Sequence, residues 1–292
     1  MNLHYSERGV ALIQVLLLTA ILSVLVLYFT QTSRQQVAVA QYFNDNTDAF
    51  IELTNLKNRL LFSLLTDSRA SDSAKPNNII IKNFYGEPFF IDDHIQVTVQ
   101  DQAGLLPIHF LNKNQLVNML SSLGIQLQRS IQISEMLGNW LDFDNETSNY
   151  SSETELFGYK ARDGYVHDLS DLLHIEGLLP EEYDMIRRAY TIHYPGFFNL
   201  ALAPNSLIKG LFPESQFLQV KSMRDSAAFD SKVFSRVTGV VESEEMFFAP
   251  SNLIEFELKY IGGDVNLHQK WVVSLEPYSD FRPPINYLEN RG

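Results

Sequence analysis

The chain has 292 residues, enough for one or two domains with hydrophobic cores of their own. Its 45% apolar and 20% charged residues exclude collagen-like, coiled-coil-only and wholly disordered proteins. A net charge of -13 argues against nucleic-acid binding, and the lack of Cys excludes thiol nucleophiles, thiolate metal sites and disulfides.

The N-terminus contains one long apolar segment. Residues 10–29 read VALIQVLLLTAILSVLVLYF and carry no formal charge. A helix of this length spans the hydrocarbon core of a bilayer, roughly 30 Å. No other stretch of the chain approaches it, so we expect one membrane-spanning helix.

Three interpretations fit this segment. A cleaved secretory signal has a shorter apolar core and small residues behind it, which residues 28–31 (YFTQ) do not provide. An ordinary signal-anchor has asymmetric flanking charge, but Arg8 and Arg34 give only a weak bias. The third interpretation is a polar leader, residues 1–9, cut after Gly9 to leave an uncleaved helix. That order is typical of type IV pilin-like precursors.

The helix is predicted to continue beyond the membrane. Residues 31–65 contain neither Gly nor Pro, and apolar residues recur along them at helical spacing. The stripe consists of Val37, Phe43, Phe50, Leu53, Leu56, Leu60 and Leu64. Residues 67–78, rich in Ser, Asp and Pro, then break the pattern. We therefore predict a transmembrane and stalk helix over residues 10–66.

The rest of the chain predicts strands, then helices, then strands. Short strands are expected at 79–81, 83–85, 89–91, 95–99 and 106–110. Helices are expected at 115–123, 131–141, 168–173, 180–190, 206–212 and 215–223. A hairpin of residues 253–260 and 269–275 follows, turning at Gly262-Gly263-Asp264.

This order predicts an α+β fold with a long N-terminal hydrophobic helix. One antiparallel sheet would be shared by residues 75–110 and 235–282. An all-α domain, residues 111–234, would be inserted between them. Residues 283–292, with Pro283 and Pro284, are predicted to form a loose tail.

Enzyme signatures are missing from the sequence. It has no GxGxxG, GxxxxGK[ST], GxSxG or HExxH motif. None of the seven histidines pairs at the i, i+4 spacing of a helical metal site, and a solvated or capping role suits His167 and His174. We predict that the protein is not an enzyme; an acid-pair hydrolase using Asp142 and Glu153 is the weakest alternative.

One acidic segment is a candidate cation site. Oxygen donors alternate at Asp142, Asp144 and Glu146, with Glu153 close behind. Calcium takes six to eight such oxygens, and loops supply them well. The glycine and the fixed bidentate Glu of an EF-hand are absent. The alternative is a solvated acidic loop in which Asp142 or Asp144 caps a helix.

Four stretches together resemble the minor pseudopilin of type II secretion systems called general secretion pathway protein K. Residues 8–13 (RGVALI) are similar to the opening of that family, and residues 140–144 (WLDFD) to its Trp-[Ile/Leu]-Asp-x-Asp, with Ser151-Ser152-Glu153 in place of Gly-Ala-Glu. Residues 159–177 resemble its Tyr-Arg…Leu-x-Glu-Leu…Gly segment. Residues 198–207 resemble its Asn-[Val/Ile]-Asn-Thr-Ala…Leu, without the second Asn and the Thr.

The resemblance implies a non-enzymatic subunit that caps the tip of the periplasmic pseudopilus. Its partners would be the I and J minor pseudopilins and the major pseudopilin. A prepilin peptidase would cut after Gly9 and leave an N-methylated Val10. The mature chain would cross the bacterial inner membrane once, with its soluble domain in the periplasm. Calcium sites of the family would correspond to Asp142, Asp144, Glu146 and Glu153.

Gln14 stands where most pilins carry a Glu, at the fifth mature residue. In a stacked pilus that Glu compensates the free N-terminal amine of a neighbouring subunit. A subunit with no neighbour above it needs no such partner, and Gln is less costly in lipid than Glu. The rival hypothesis is an ordinary membrane-anchored periplasmic ectodomain with a binding or structural role and no part in a pilus.

Overall fold

The computed structural model describes residues 7–66, 81–141, 165–225 and 230–291. Its longest element is helix α1, Glu7–Thr66, which has no proline and no glycine after Gly9. No side chain between residues 11 and 48 is buried, and Ala49 is the first that is. Part of this helix, within Ala11–Thr66, is long and apolar enough to cross a membrane.

A five-stranded antiparallel sheet packs against the last turns of α1. Its strands are β1 (Phe89–Phe90), β2 (Ile95–Asp101), β5 (Leu253–Gly262), β6 (Val265–Leu275) and β7 (Ile285–Arg291), in the order β1-β2-β5-β6-β7. Strands from the two ends of the soluble chain meet where Val99 pairs with Phe256. The predicted α+β class is therefore correct.

One face of the sheet and α1 enclose a hydrophobic core. Alternating residues of β5 and β6 point at the helix, which is the period-2 pattern of a half-buried strand. Leu53 and Leu60 of α1 lie in this core together with Phe256 and Trp271. The ammonium of Lys57 lies 4.3 Å from the centre of the Trp271 ring.

The middle of the chain forms a helical domain with a separate core. Its helices are α2 (Lys113–Ser122), α3 (Leu127–Leu141), α4 (Pro180–Arg187), α5 (Asn205–Leu211), α6 (Glu214–Asp225) and α7 (Ser231–Thr238). Two short parallel strands, β3 (Leu106–Pro107) and β4 (Tyr190–Thr191), pair within it. Its buried apolar cluster shares no member with the cluster between α1 and the sheet.

Four sequence predictions about the sheet and the helical domain were wrong. The strand predicted at 83–85 is only an isolated bridge between Tyr85 and Gln100. Residues 283–292 were predicted to be a loose tail, but they contain edge strand β7. This strand is held by backbone pairing with β6 after Pro284, which needs no alternation of apolar residues that a sequence pattern would reveal. The second strand region begins at Leu253, not at 235, because α7 starts after the helix-capping Asp230 and ends at Gly239. The strand predicted at 106–110 is the two-residue β3 followed by a 3-10 turn.

Candidate functional site

The first part of the candidate site is the exposed apolar length of α1. Apolar side chains from Leu12 to Phe29 are mostly more than half exposed. The hydroxyl of Thr19 donates to Leu16 O at 2.9 Å, and that of Ser23 donates to Thr19 O at 2.8 Å. Because these polar groups are satisfied inside the helix, this length suits lipid or a neighbouring apolar helix.

The predicted processing and assembly residues lie on this helix, and the predicted metal residues do not. Gly9 and Val10 are in the first turn of α1, and Gln14 is exposed one turn further on. Asp142, Asp144, Glu146 and Glu153 all fall within residues 142–164, outside the described residues. The calcium site therefore stays a prediction.

Beyond the apolar span the predicted stripe divides into two parts. Leu53, Leu56, Leu60 and Leu64 are buried against the sheet, whereas Val37, Phe43 and Phe50 are exposed. The exposed part is longer than a membrane requires, because residues 30–48 add about 28 Å of helix beyond Phe29. This stalk length carries apolar side chains that the chain itself does not cover.

The second part of the site is the point where the helical domain leaves and rejoins the sheet. We call Asp101, Asn199 and Ser251 the junction cluster. The Asp101 carboxylate is fully buried and accepts hydrogen bonds from Ser251 N at 2.8 Å and from Ser251 Oγ at 2.5 Å. It also accepts one from Ala103 N at 2.9 Å. A charge-assisted network thus ties the end of β2 to the start of β5.

Asn199 joins the helical domain to the same point. Its backbone N donates to Ala103 O at 2.7 Å and its side-chain amide donates to Ala249 O at 2.8 Å. Asn199 belongs to the 198–207 stretch of the family resemblance, so this residue has a clear structural role. Gly104 packs here too, because a Cβ on it would lie 2.0 Å from Leu202 O.

Charged residues link the helical domain to the sheet face opposite α1. We call Asp168–Arg291 and His193–Glu289 the outer-face pairs. They are 2.5 and 2.8 Å long, and Arg291 lies 3.3 Å from Glu289. Burial would raise the pKa of Asp168, but hydrogen bonds from Arg291 and Ser170 outweigh it and lower the pKa to about 2. The hydrogen bond from His193, against opposing burial, lowers the pKa of Glu289.

Other residues of the family resemblance support the helical domain. Trp140, near the end of α3, packs against the helical core. Arg129 forms an ion pair with Glu182 at 2.7 Å, and it also donates to Gly177 O. Gly177 has a φ of +80°, the left-handed conformation that glycine adopts without strain. These motif residues therefore shape the domain.

Neither the junction cluster nor the outer-face pairs were predicted from the sequence. The one local signal in the sequence is Asp101, which comes two residues after Val99, where the predicted strand ended. In the structure β2 continues to Asp101, and this Asp is buried. Over the described ranges, no group of three or more His, Asp or Glu side chains is placed to hold a metal ion. His167 and His174 are both exposed.

No protein-family model matches the sequence, and no curated protein matches it. A solved structure does match: the crystal structure of the GspK-GspI-GspJ complex from the type 2 secretion system of enterotoxigenic Escherichia coli, with a TM-score of 0.52. The alignment covers 86% of this chain and 98% of that chain, at 13% identity. At this identity the likeness concerns the fold, and it confirms the fold expected from the sequence resemblance. The chain has a GspK-like minor pseudopilin fold.

Proposed function

We propose that this protein is a minor pseudopilin of a type II secretion system and caps the tip of the pseudopilus. The observation that carries the proposal is the fold likeness, which includes nearly the whole of a chain from a complex of three such subunits. The exposed apolar length of α1 supports it, because helices of this kind are stabilised by packing beside similar helices. The proposed partners are I- and J-type minor pseudopilins and the major pseudopilin.

The tip position rests on two features of the chain. Gln14 has no charge to offer the amine of a neighbour, as a stacked subunit would need. The helical domain adds bulk on one side of the sheet, which disfavours stacking inside a filament. If the position is right, wild-type protein labels only filament ends. Gln14→Glu should allow it to enter the shaft; wild-type protein found along the shaft would contradict the tip position.

Co-purification tests the assembly role directly. The full-length chain is co-expressed with I- and J-type subunits of the same organism and captured through a tag on the I-type subunit in detergent. We expect the three chains to elute together. Phe43→Glu, on the exposed stalk, should weaken this capture.

Val241→Glu is the matched control, since Val241 is 73% exposed and Phe43 72%, so neither substitution disturbs a core. Equal capture of both variants would remove the stalk from the proposed interface. No capture of the wild-type chain would favour the membrane-anchored ectodomain without a pilus role.

We propose processing by a prepilin peptidase at Gly9. The intact mass of the membrane-extracted protein should correspond to a chain beginning at Val10, with one added methyl group. Gly9→Leu should leave the leader attached, because these enzymes are expected to require the small residue before the cut. A mass beginning beyond Phe29 would indicate a cleaved secretory signal instead.

Calcium binding by Asp142, Asp144, Glu146 and Glu153 is a separate proposal. If calcium binds the folded chain, it raises the apparent stability by RT ln(1 + [Ca]/Kd), or about 2.7 kcal/mol at one hundred times Kd. The midpoint of thermal unfolding should then fall on chelation. Asp142→Asn with Asp144→Asn should abolish that difference; an unchanged response would assign the effect to other residues.

A further inference from the structure

The position of the helical domain on the sheet is not set by a shared hydrophobic core. The apolar cluster between α1 and the sheet and the cluster of the helical domain have no residue in common. The orientation of the domain therefore depends also on the polar contacts between the two parts, and these occur at separate places. Besides the junction cluster and the outer-face pairs, Tyr85 donates a hydrogen bond to Asp225 and Asn205 donates one to Glu87.

The junction cluster is the first of these places and forms a pivot. Both chain crossings lie there, since β2 ends at Asp101 and this residue pairs with Ile254 at the start of β5. The hydrogen bond from Ser251 N to Asp101 is buried, the one from the Asn199 amide to Ala249 O is partly buried, and both are 2.8 Å long. These hydrogen bonds are concentrated at one end of two neighbouring strands. They therefore fix the distance between the helical domain and the sheet better than the angle between them.

The outer-face pairs lie away from the pivot. Across the sheet, Asp101 pairs with Ile254, Ile254 with Val273, and Val273 with Tyr287. Arg291 pairs with Lys270, which lies three residues before Val273 on β6. At 3.3 Å per residue and 4.8 Å between strands, Arg291 is about 17 Å from the pivot. A contact at this distance resists rotation of the domain about the junction cluster.

The strand register also places these residues on the correct face of the sheet. Trp271 and Val273 point at α1, so Lys270 and Val272 point away from it. Glu289 pairs with Val272 and Arg291 with Lys270, which puts both on the face that the helical domain approaches.

From this geometry we infer that Arg291 and Glu289 of β7 are positioning residues, which hold the helical domain at one angle to the sheet and thereby set the surface presented to partner subunits. The claim that these residues affect the binding of partner subunits rests on the proposed function. The claim that they hold the angle of the helical domain does not. The Arg291 and Asp168 side chains are 47% and 41% exposed, so salt should weaken the contact between them.

The angle can be measured by pulsed electron spin resonance. The chain has no Cys, so Glu181→Cys in α4 and Asn266→Cys in β6 introduce two specific labelling sites, both exposed. In the full-length protein in detergent we expect one narrow distance distribution. Arg291→Ala should broaden this distance distribution, and high salt should broaden the distribution of the doubly labelled parent protein.

Arg282→Ala is the matched control, because Arg282 lies in the β6–β7 loop and pairs with Glu276 of the same loop. Its distribution should stay narrow. Arg291→Lys keeps the positive charge beside Asp168 and Glu289 and should keep the distribution narrow if the pair acts through charge. An unchanged distribution in Arg291→Ala, with or without salt, would overturn the inference.

Affinity for the partner subunits is the second measurement. Arg291→Ala should weaken it about fivefold, equivalent to ~1 kcal/mol, whereas Arg291→Lys should keep it close to that of the parent. If the distance distribution broadens but the parent binds no partner, the proposed function fails and the positioning role remains. If the parent binds and Arg291→Ala has an unaltered distribution, the positioning role fails alone.

Discussion

The two faces of the sheet are covered in physically different ways. On one face α1 contributes Leu53, Leu56 and Leu60 to a dry apolar core. On the other face the helical domain approaches through ion pairs such as Asp168–Arg291. Apolar burial is almost independent of salt and pH, whereas partly exposed ion pairs depend on both. The helix and sheet therefore form a fixed unit, whereas the ion pairs between the sheet and the helical domain respond to salt and pH.

The largest expected effect comes from the apolar face. Leu53 is fully buried, and Leu53→Ala should lower the free energy of unfolding by about 2–5 kcal/mol through lost burial and the cavity left behind. The chain has two tryptophans, Trp271 in this core and Trp140 against the helical core. Urea unfolding followed by Trp271 fluorescence in a Trp140→Phe background measures the effect.

Phe62→Ala is the control, since Phe62 is on the same helix but 66% exposed. It should change stability by less than about 0.5 kcal/mol. The effect of Leu53→Ala is also measured with Trp140 fluorescence in a Trp271→Phe background. If the loss of unfolding free energy is equally large there, the two cores unfold as one unit and the contrast between the two faces does not extend to stability.

A smaller effect is expected at the junction cluster. Asp101→Asn keeps the shape but replaces one accepting oxygen with an NH₂ group, which would face a donor such as Ser251 N–H. We expect a loss of about 1–3 kcal/mol, reported by both tryptophans because Asp101 lies between the cores. Asp93→Asn, in the exposed β1–β2 turn, should have little effect. A loss seen by one tryptophan alone would contradict a shared junction.

The smallest effect is the acid sensitivity of the outer face. The folded state holds the pKa of Asp168 at about 2, below its ordinary value of 3.8. A lowered pKa means that the carboxylate stabilises the fold above pH 3.8 and that this contribution disappears as the pH falls through 2. Asp168 is partly exposed, so less than about 1 kcal/mol is involved. Wild-type protein and Asp168→Asn should differ at pH 5 and converge near pH 2; a constant difference would exclude Asp168 as the source.

The sequence predicted those elements whose signal is local. The apolar run, the unbroken α1 and the hairpin of β5 and β6 follow from composition and periodicity, and the turn lies at Gly263-Asp264 as expected. Strand β7 was missed because it follows Pro283 and Pro284 at the end of the chain, and the partners of Glu289 and Arg291 lie 96 and 123 positions earlier in the sequence. The same reason hid the junction cluster, where Asp101 meets Ser251 150 positions later.

The unbroken course of α1 has a mechanical consequence. Sixty residues of α-helix extend about 90 Å, and the last turns of that helix are embedded in the hydrophobic core of the sheet. After Gly9 there is no glycine or proline at which the rod would fold. A push or twist applied to its apolar end is therefore delivered to the globular end as a displacement of the whole body, without being absorbed by a joint on the way.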